Sequence, residues 1–160
     1  MDDSPYRGTI FIVDDEDMVL TSIESFLALE TEYQVETFLS PMDALAKAAE
    51  VDVNLIISDY LMPDMNGIAF LGEIRDLKPD VTRIILTGYA DKENAIKAIN
   101  EVGLFQYIEK PWDNDQLLII IRNGLDKHYL LRNLREKIGQ INKAYSDLQG
   151  IQQDILKTFA

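Results

Sequence analysis

The stretch Leu55-Ile56-Ile57-Ser58-Asp59-Tyr60-Leu61-Met62-Pro63-Asp64-Met65-Asn66-Gly67 decides how the chain is read. Leu55 to Ser58 is a strongly apolar run that ends in an acid, Asp59. Such a run fits a strand buried on both faces, with polar chemistry starting just past its carboxyl end. Met62 to Gly67 reads as a loop, and Gly67 to Leu77 has helical periodicity, closed by Lys78-Pro79.

The same strand-then-helix unit recurs on either side. Thr9 to Val13 is an apolar run ending in Asp14-Asp15. Glu16 to Leu29 is helical, with Met18, Val19, Ile23, Phe26 and Leu27 expected on one side. Gln34 to Phe38 reads as a strand. Ser40 is an N-cap with Pro41 at the first helical position, opening a helix to about Ala49. Arg83 to Thr87 is a strand, and Asp91 is expected to cap a helix from Lys92 to about Val102 that Gly103 ends. Gln106 to Ile108 is a short strand, and Asp113 or Asn114 caps a last helix. Strands alternating with helices imply a parallel sheet covered on both faces, and right-handed crossovers make it doubly wound. The predicted class is α/β, a doubly wound five-stranded parallel sheet with a long C-terminal helix.

The chain has 160 residues, 47% apolar and 27% charged, which suits one soluble domain with an appendage. Its net charge of −13 and the lack of any Lys/Arg cluster argue against direct nucleic-acid binding. Cysteine is absent, so disulfides and thiolate metal sites are excluded. Met1 to Arg7 has no signal-peptide core, and no apolar run reaches the roughly 20 residues that span a bilayer. The expected location is the cytoplasm, with no membrane partner.

In sheets of this kind ligands sit beyond the carboxyl ends of the strands. The residues there are Asp14, Asp15, Asp59, Thr87 and Lys110. Taken singly, a strand-end Asp is most often a turn or cap residue, and a lone Thr or Lys is more often structural still. Taken together they fall on one edge of one sheet. Three carboxylates at one spot repel unless a cation neutralises them. Oxygen-only ligands suit Mg²⁺, held by a few carboxylates and a phosphate. Lys110 offers a point charge and Thr87 a hydroxyl for phosphoryl oxygens.

Val13-Asp14-Asp15-Glu16, Ser58 through Gly67, Leu86-Thr87-Gly88 and Lys110-Pro111 resemble the signatures of two-component response-regulator receiver domains, over about residues 8 to 125. The resemblance implies a flavodoxin-like strand order 2-1-3-4-5. It implies that Asp59 accepts a phosphoryl group from a sensor histidine kinase or phosphotransfer protein. Asp15, Asp59 and the backbone carbonyl of Leu61 would ligate Mg²⁺, with Asp14 helping through water. Thr87 and Lys110 would bind the phosphoryl group, Tyr107 would be the switch aromatic beside Thr87, and Lys110-Pro111 would be cis. The domain would itself catalyse only its own phosphoryl transfer.

A phosphatase of the haloacid dehalogenase type is the runner-up. Asp15-Glu16-Asp17-Met18-Val19 fits that family's nucleophile motif, Thr87 and Lys110 its next two, and Asp59 with Asp64 its acidic motif. In that family the acidic motif comes last, whereas Asp59 precedes Thr87 and Lys110 here. A constitutive dimerisation scaffold is the non-enzyme alternative, and the intact acids, Thr87 and Lys110 weigh against it. His128, the only histidine, is expected at a surface helix position.

Beyond the receiver-like part, Leu131, Leu134, Ile138, Ile141, Tyr145, Leu148, Gln152, Ile155 and Phe159 are spaced alternately three and four apart. That is a heptad seam over about four heptads. Residues 1–125 are therefore read as the phosphoacceptor domain and 126–160 as a helical coiled-coil extension. The extension is expected to make a homodimer through residues 125–160 and to lead to an output domain beyond the truncated end. The usual charge pairs beside the seam are missing, and Gly139 and Gly150 each weaken the helix by about 1 kcal/mol. Leu117 to Ile121 is apolar all round, which suggests a second contact surface.

Overall fold

Leu55, Ile56, Ile57 and Ser58 are all completely shielded from solvent in a computed structural model that describes residues 7–159. They form β3 (Leu55–Asp59), the middle strand of a five-stranded sheet. Around it lie β1 (Thr9–Val13), β2 (Gln34–Phe38), β4 (Thr82–Thr87) and β5 (Gln106–Glu109). The order is β2-β1-β3-β4-β5 and every pairing is parallel. The helices are α1 (Asp17–Glu30), α2 (Pro41–Glu50), α3 (Gly67–Leu77), α4 (Lys92–Glu101) and α5 (Asn114–Phe159). This is the doubly wound arrangement the alternating pattern predicts, with the flavodoxin-like strand order the resemblance implies.

Strand side chains alternate between faces. Phe11, Val13, Ile56 and Ile85 meet Ala44, Ala48, Phe70, Leu71, Ile74, Ala95 and Ala98 of α2, α3 and α4 in one cluster. The intervening Ile10, Ile12, Leu55, Ile57 and Ile84 are equally buried on the opposite face. There α5 closes onto the sheet at Gly124, where a Cβ would stand 2.8 Å from Leu55 Cδ1 and 3.0 Å from Thr82 Cγ2. Each such buried aliphatic side chain contributes about 1.5–3 kcal/mol.

Helix starts follow local chemistry. Ser40 Oγ accepts from Met42 N at 3.2 Å and Asn66 Oδ1 from Ala69 N at 2.8 Å. Asp113, rather than Asn114, caps α5 through bonds from Asp115 N and Gln116 N. Gly103, at φ +67°, occupies the left-handed conformation that ends α4.

Four readings need correction. Asp91 makes no side-chain cap bond, because Tyr89–Asp91 is a 3₁₀ turn that leads directly into α4. Met18 is 84% exposed, whereas Leu20 joins Ile23 and Leu27 in the buried stripe of α1. At 100° per residue Met18 stands about 180° from Leu27, so the helix's own periodicity already sets it on the open side, while Leu20 falls with Ile23 and Leu27 on the side against the sheet. β2 and β5 are not apolar on both faces, since as edge strands they are only partly covered. Finally, His128 is 1% exposed. Its Nε2 lies 3.0 Å from Asn54 Nδ2 and its Nδ1 2.7 Å from the Asp80 carbonyl oxygen. Asn54 also accepts from Thr9 N at 2.8 Å, so His128 belongs to a polar clasp at the amino ends of the strands.

The chain divides into two compact units, the first ending at His128 and the second starting at Tyr129. Within the second unit every described side chain from Asn133 to Thr158 is exposed. The side chain of Phe159, the last seam position, lies outside the described residues, as do residues 1–6. Among the described residues no helix is long and apolar enough to cross a membrane.

Candidate functional site

Strand register alone gathers the polar strand-end residues. Val13 pairs with Ser58, so Asp14 and Asp59 leave adjacent strands side by side. Asp59 pairs with Leu86 and Thr87 with Glu109, so Thr87 and Lys110 follow along the same edge. Backbone bonds fix the turns: Asp14 N to Phe38 O at 3.1 Å, Tyr60 N to Leu86 O at 2.9 Å, and Lys110 N to Thr87 O at 2.9 Å. Gly67 N donates to Tyr60 O at 2.8 Å, which folds the loop after β3 back on itself. A Cβ at Gly67 would overlap the Asp59 carbonyl oxygen, so only glycine lets α3 start this close to the acid.

Asp14, Asp15 and Asp59 each present a carboxylate oxygen within 4.8 Å of the others. Asp14 and Asp59 are buried and Asp15 is exposed. Lys110 Nζ donates to Asp14 Oδ2 and pairs with Asp59 Oδ1, both at 3.0 Å. Asp14 Oδ1 accepts from Glu16 N at 2.9 Å, which orients the carboxylate inside its turn. Burial raises both Asp14 and Asp59 above the ordinary carboxylate value, and the charge of Asp59 adds to the effect on Asp14 and that of Asp15 to the effect on Asp59; the bonds from Lys110 only partly offset it. Burial works to lower Lys110, but its bonds to Asp59 and Asp14 outweigh this and its pKa is raised. One cation therefore serves three acids, and the site carries surplus negative charge. An all-oxygen donor set of this kind fits a hard divalent cation such as Mg²⁺.

The remaining predicted residues stand around this cluster. Thr87 is buried, with Oγ1 donating to the Gly88 carbonyl at 3.1 Å. Leu61, two residues past Asp59, has a side chain 61% exposed, and Tyr89, two past Thr87, is 83% exposed. The Lys110-Pro111 bond is cis. Tyr107 is half-buried beside the Phe70 and Ile85 cluster. Lys92 Nζ stands 5.8 Å from its ring centroid and 3.3 Å from Glu109 Oε2. Sequence reasoning did not anticipate this Lys92 contact, nor the bridging of two acids by Lys110, and local pattern carries no signal for either.

Comparison with known proteins identifies the family. The family described as response regulator receiver domain matches residues 10–122. The chain is 35% identical over 77% of its length to the hydrogenase transcriptional regulatory protein HoxA of Cupriavidus necator, covering 25% of that protein. It is 30% identical over 93% of its length to HoxA of Bradyrhizobium diazoefficiens, covering 32% of that protein. The chain thus spans about a quarter to a third of the curated relatives it matches. Among solved structures, the signal receiver domain of an HD domain-containing protein from Pseudomonas fluorescens Pf-5 is 33% identical with a TM-score of 0.72, over 77% of this chain and 98% of that one. A family match over residues 10–122, across the whole sheet and the helices that cover it, places this protein in the response regulator receiver domain family of two-component signalling.

Proposed function

We propose that Asp59 accepts a phosphoryl group from a histidine kinase or phosphotransfer protein, and that the phosphorylated domain switches an output through its C-terminal helix. The observation that carries this reading is the triangle of Asp14, Asp59 and Lys110, with two 3.0 Å contacts from one ammonium to two buried carboxylates. Lys110 fixes Asp59 Oδ1 and presents Oδ2 to the donor. A bond forms between that oxygen and phosphorus as the donor's imidazole nitrogen–phosphorus bond breaks, and the nitrogen keeps the electron pair. Lys110 then follows the charge onto a phosphoryl oxygen. Thr87 turns its hydroxyl from the Gly88 carbonyl to another, and Tyr107 moves into the space beside it, a local charge event biasing a two-state element.

Asp15, Asp59 and the Leu61 carbonyl would hold Mg²⁺, with Asp14 acting through water. When bound, the ion supplies charge neutralisation across carboxylate and phosphoryl group, in a transfer where positioning and electrostatics dominate. Residues 1–125 form the phosphoacceptor domain and 126–160 the signalling helix, which pairs two chains and leads to an output domain. Two relatives are transcriptional regulatory proteins by name, so the whole protein's output can act on transcription without this acidic segment touching DNA.

Mass spectrometry after incubation with a small phosphodonor and Mg²⁺ tests the assignment. The wild type should gain one phosphoryl group, chelation should abolish the gain, and Asp59→Asn should gain none. Label retained at Asp15 in the Asp59→Asn variant would refute it and favour the phosphatase reading.

A further inference from the structure

The second compact unit carries one amide in an otherwise apolar seam. The alternating three-and-four spacing puts Leu134, Ile141, Leu148 and Ile155 at d positions and Ile138, Tyr145 and Gln152 at a positions. Eight large apolar side chains from Leu134 to Leu156 are each 48–69% exposed. At roughly 100 Å² each they come to about 800 Å² per chain, the cover one partner gives in an ordinary two-chain interface. A second copy of the same seam supplies that area. What the area leaves open is which way the second copy runs.

Gln152 answers this. In a parallel pair a faces a and d faces d, whereas in an antiparallel pair a faces d. Run parallel and in register, the two Gln152 side chains meet in one layer, and each amide can donate to and accept from the other. Every antiparallel register sets Gln152 against Leu134, Ile141, Leu148 or Ile155, which have no polar side-chain atom. A parallel pair slipped by one heptad sets one Gln152 against Tyr145 and leaves the other with no amide to face. An amide shut into an apolar seam without a hydrogen-bonding partner is costly. Isoleucine at d, as at Ile141 and Ile155, favours larger bundles, and a single polar a residue counters this by fixing the number of strands as well as the register.

The flanks of that layer agree independently. Ile151 is at g and Leu156 at e. In a parallel pair a g residue meets the e residue five positions on in the other helix, so Ile151 meets Leu156 on both sides of the amide layer and neither is left open. In an antiparallel pair e meets e, and Leu156 falls against Arg135, Asn142 or Gln149. The remaining parallel pairs, Lys137 with Asn142 and Ala144 with Gln149, carry no opposite charges that could set the direction instead.

We infer that two copies of this chain pair in parallel and in register with Gln152 opposite Gln152, and that this amide layer excludes the other arrangements. The inference rests on the pairing proposed above and names the residue that directs it.

The test uses the full chain, which has no cysteine of its own. Sedimentation equilibrium should give the wild type twice the 18.2 kDa chain mass. Chains with Ile138→Cys and chains with Ile155→Cys are then mixed and equilibrated in a glutathione redox buffer, and the linked peptides are identified by mass spectrometry. Links of 138 to 138 and of 155 to 155 are expected, and no 138–155 link, because those positions stand about 25 Å apart in a parallel pair at 1.5 Å per residue. Gln152→Asn added to both chains keeps the amide and should give the same links. Gln152→Leu added to both removes it, and the 138–155 link of an antiparallel pair should appear. A 138–155 link in chains that keep Gln152 overturns the parallel arrangement and leaves the pairing standing. Gln152→Leu chains that form only the 138–138 and 155–155 links overturn the role of Gln152. A wild type at any mass other than two chains overturns the pairing as well.

Discussion

Gly67→Ala and Gly72→Ala are the same change in the same helix, and the structure assigns them opposite signs. At Gly67 the added Cβ would overlap the Asp59 carbonyl oxygen and stand 2.9 Å from Ile85 Cδ1. The first obstacle is backbone of the central strand and cannot rotate away. Relief requires the start of α3 to move outward by about 1 Å, which breaks the 2.8 Å bond from Gly67 N to Tyr60 O and drags the loop that positions Asp59. Overpacking of this kind costs about 1–3 kcal/mol and the lost backbone bond about 1 more. The expected loss is about 3 kcal/mol, a fall in Tm of roughly 6–12 °C for a domain of this size. At Gly72 the nearest atom is Val102 Cγ1 at 3.8 Å, an ordinary contact. Alanine there gains up to about 1 kcal/mol of helix propensity. Urea and thermal unfolding measure both, and phosphoryl stoichiometry with a small donor should fall for Gly67→Ala and hold for Gly72→Ala. A Gly67→Ala variant within 1 kcal/mol of wild type that still phosphorylates fully would refute the claim that glycine is required for the approach of α3 to Asp59.

Three further outcomes are expected. His128→Ala should lower stability by about 3 kcal/mol in urea unfolding, because it opens a cavity and strips a partner from Asn54 and from the Asp80 carbonyl; a change near zero would restore the surface placement. Asp14 and Asp59 have pKa values raised above 3.8, so the native state keeps protons that the unfolded chain has released. Without divalent cations, stability should fall as pH rises from 3.8 through those raised values, and Asp59→Asn should be more stable than wild type at neutral pH, with the advantage vanishing in acid and shrinking in Mg²⁺; equal stability at all pH values contradicts this. Leu61 and Tyr89 stand two residues past Asp59 and Thr87 and are largely exposed. On the proposed phosphorylation of Asp59 we expect them to border the water's approach with no acid or amide to assist it, so Leu61→Asn with Tyr89→Glu should shorten the lifetime of the phosphorylated state in Mg²⁺; an unchanged decay would show that these side chains do not set it.

Much of the site was legible because it needs only local facts joined by one rule. Asp14, Asp59, Thr87 and Lys110 stand at or just past the ends of four strands, and a parallel sheet puts all its carboxyl strand ends on one edge. Placing them together required no knowledge of side-chain packing. The helix seam was legible for the same reason, since its spacing is a property of the chain alone. What failed was everything that depends on a neighbour. His128 sits in a helix with polar residues around it, and nothing local says that Asn54 and Asp80 wait across from it. Met18 is a different case: at 100° per residue it stands about 180° from Leu27, so the helical period itself places it on the open side of α1.

By itself the sequence determined the alternation of strand and helix, the cap at Ser40, the polar residue at each decisive strand end and the heptad seam, because each is encoded in spacings of four residues or fewer. Only the tertiary structure decided that Lys110 bridges Asp14 and Asp59, that Gly67 must admit the Asp59 carbonyl, and that His128 is buried. These contacts join residues far apart in the chain, and their distances depend on how β1, β3, β5 and α5 stack, which no local pattern contains.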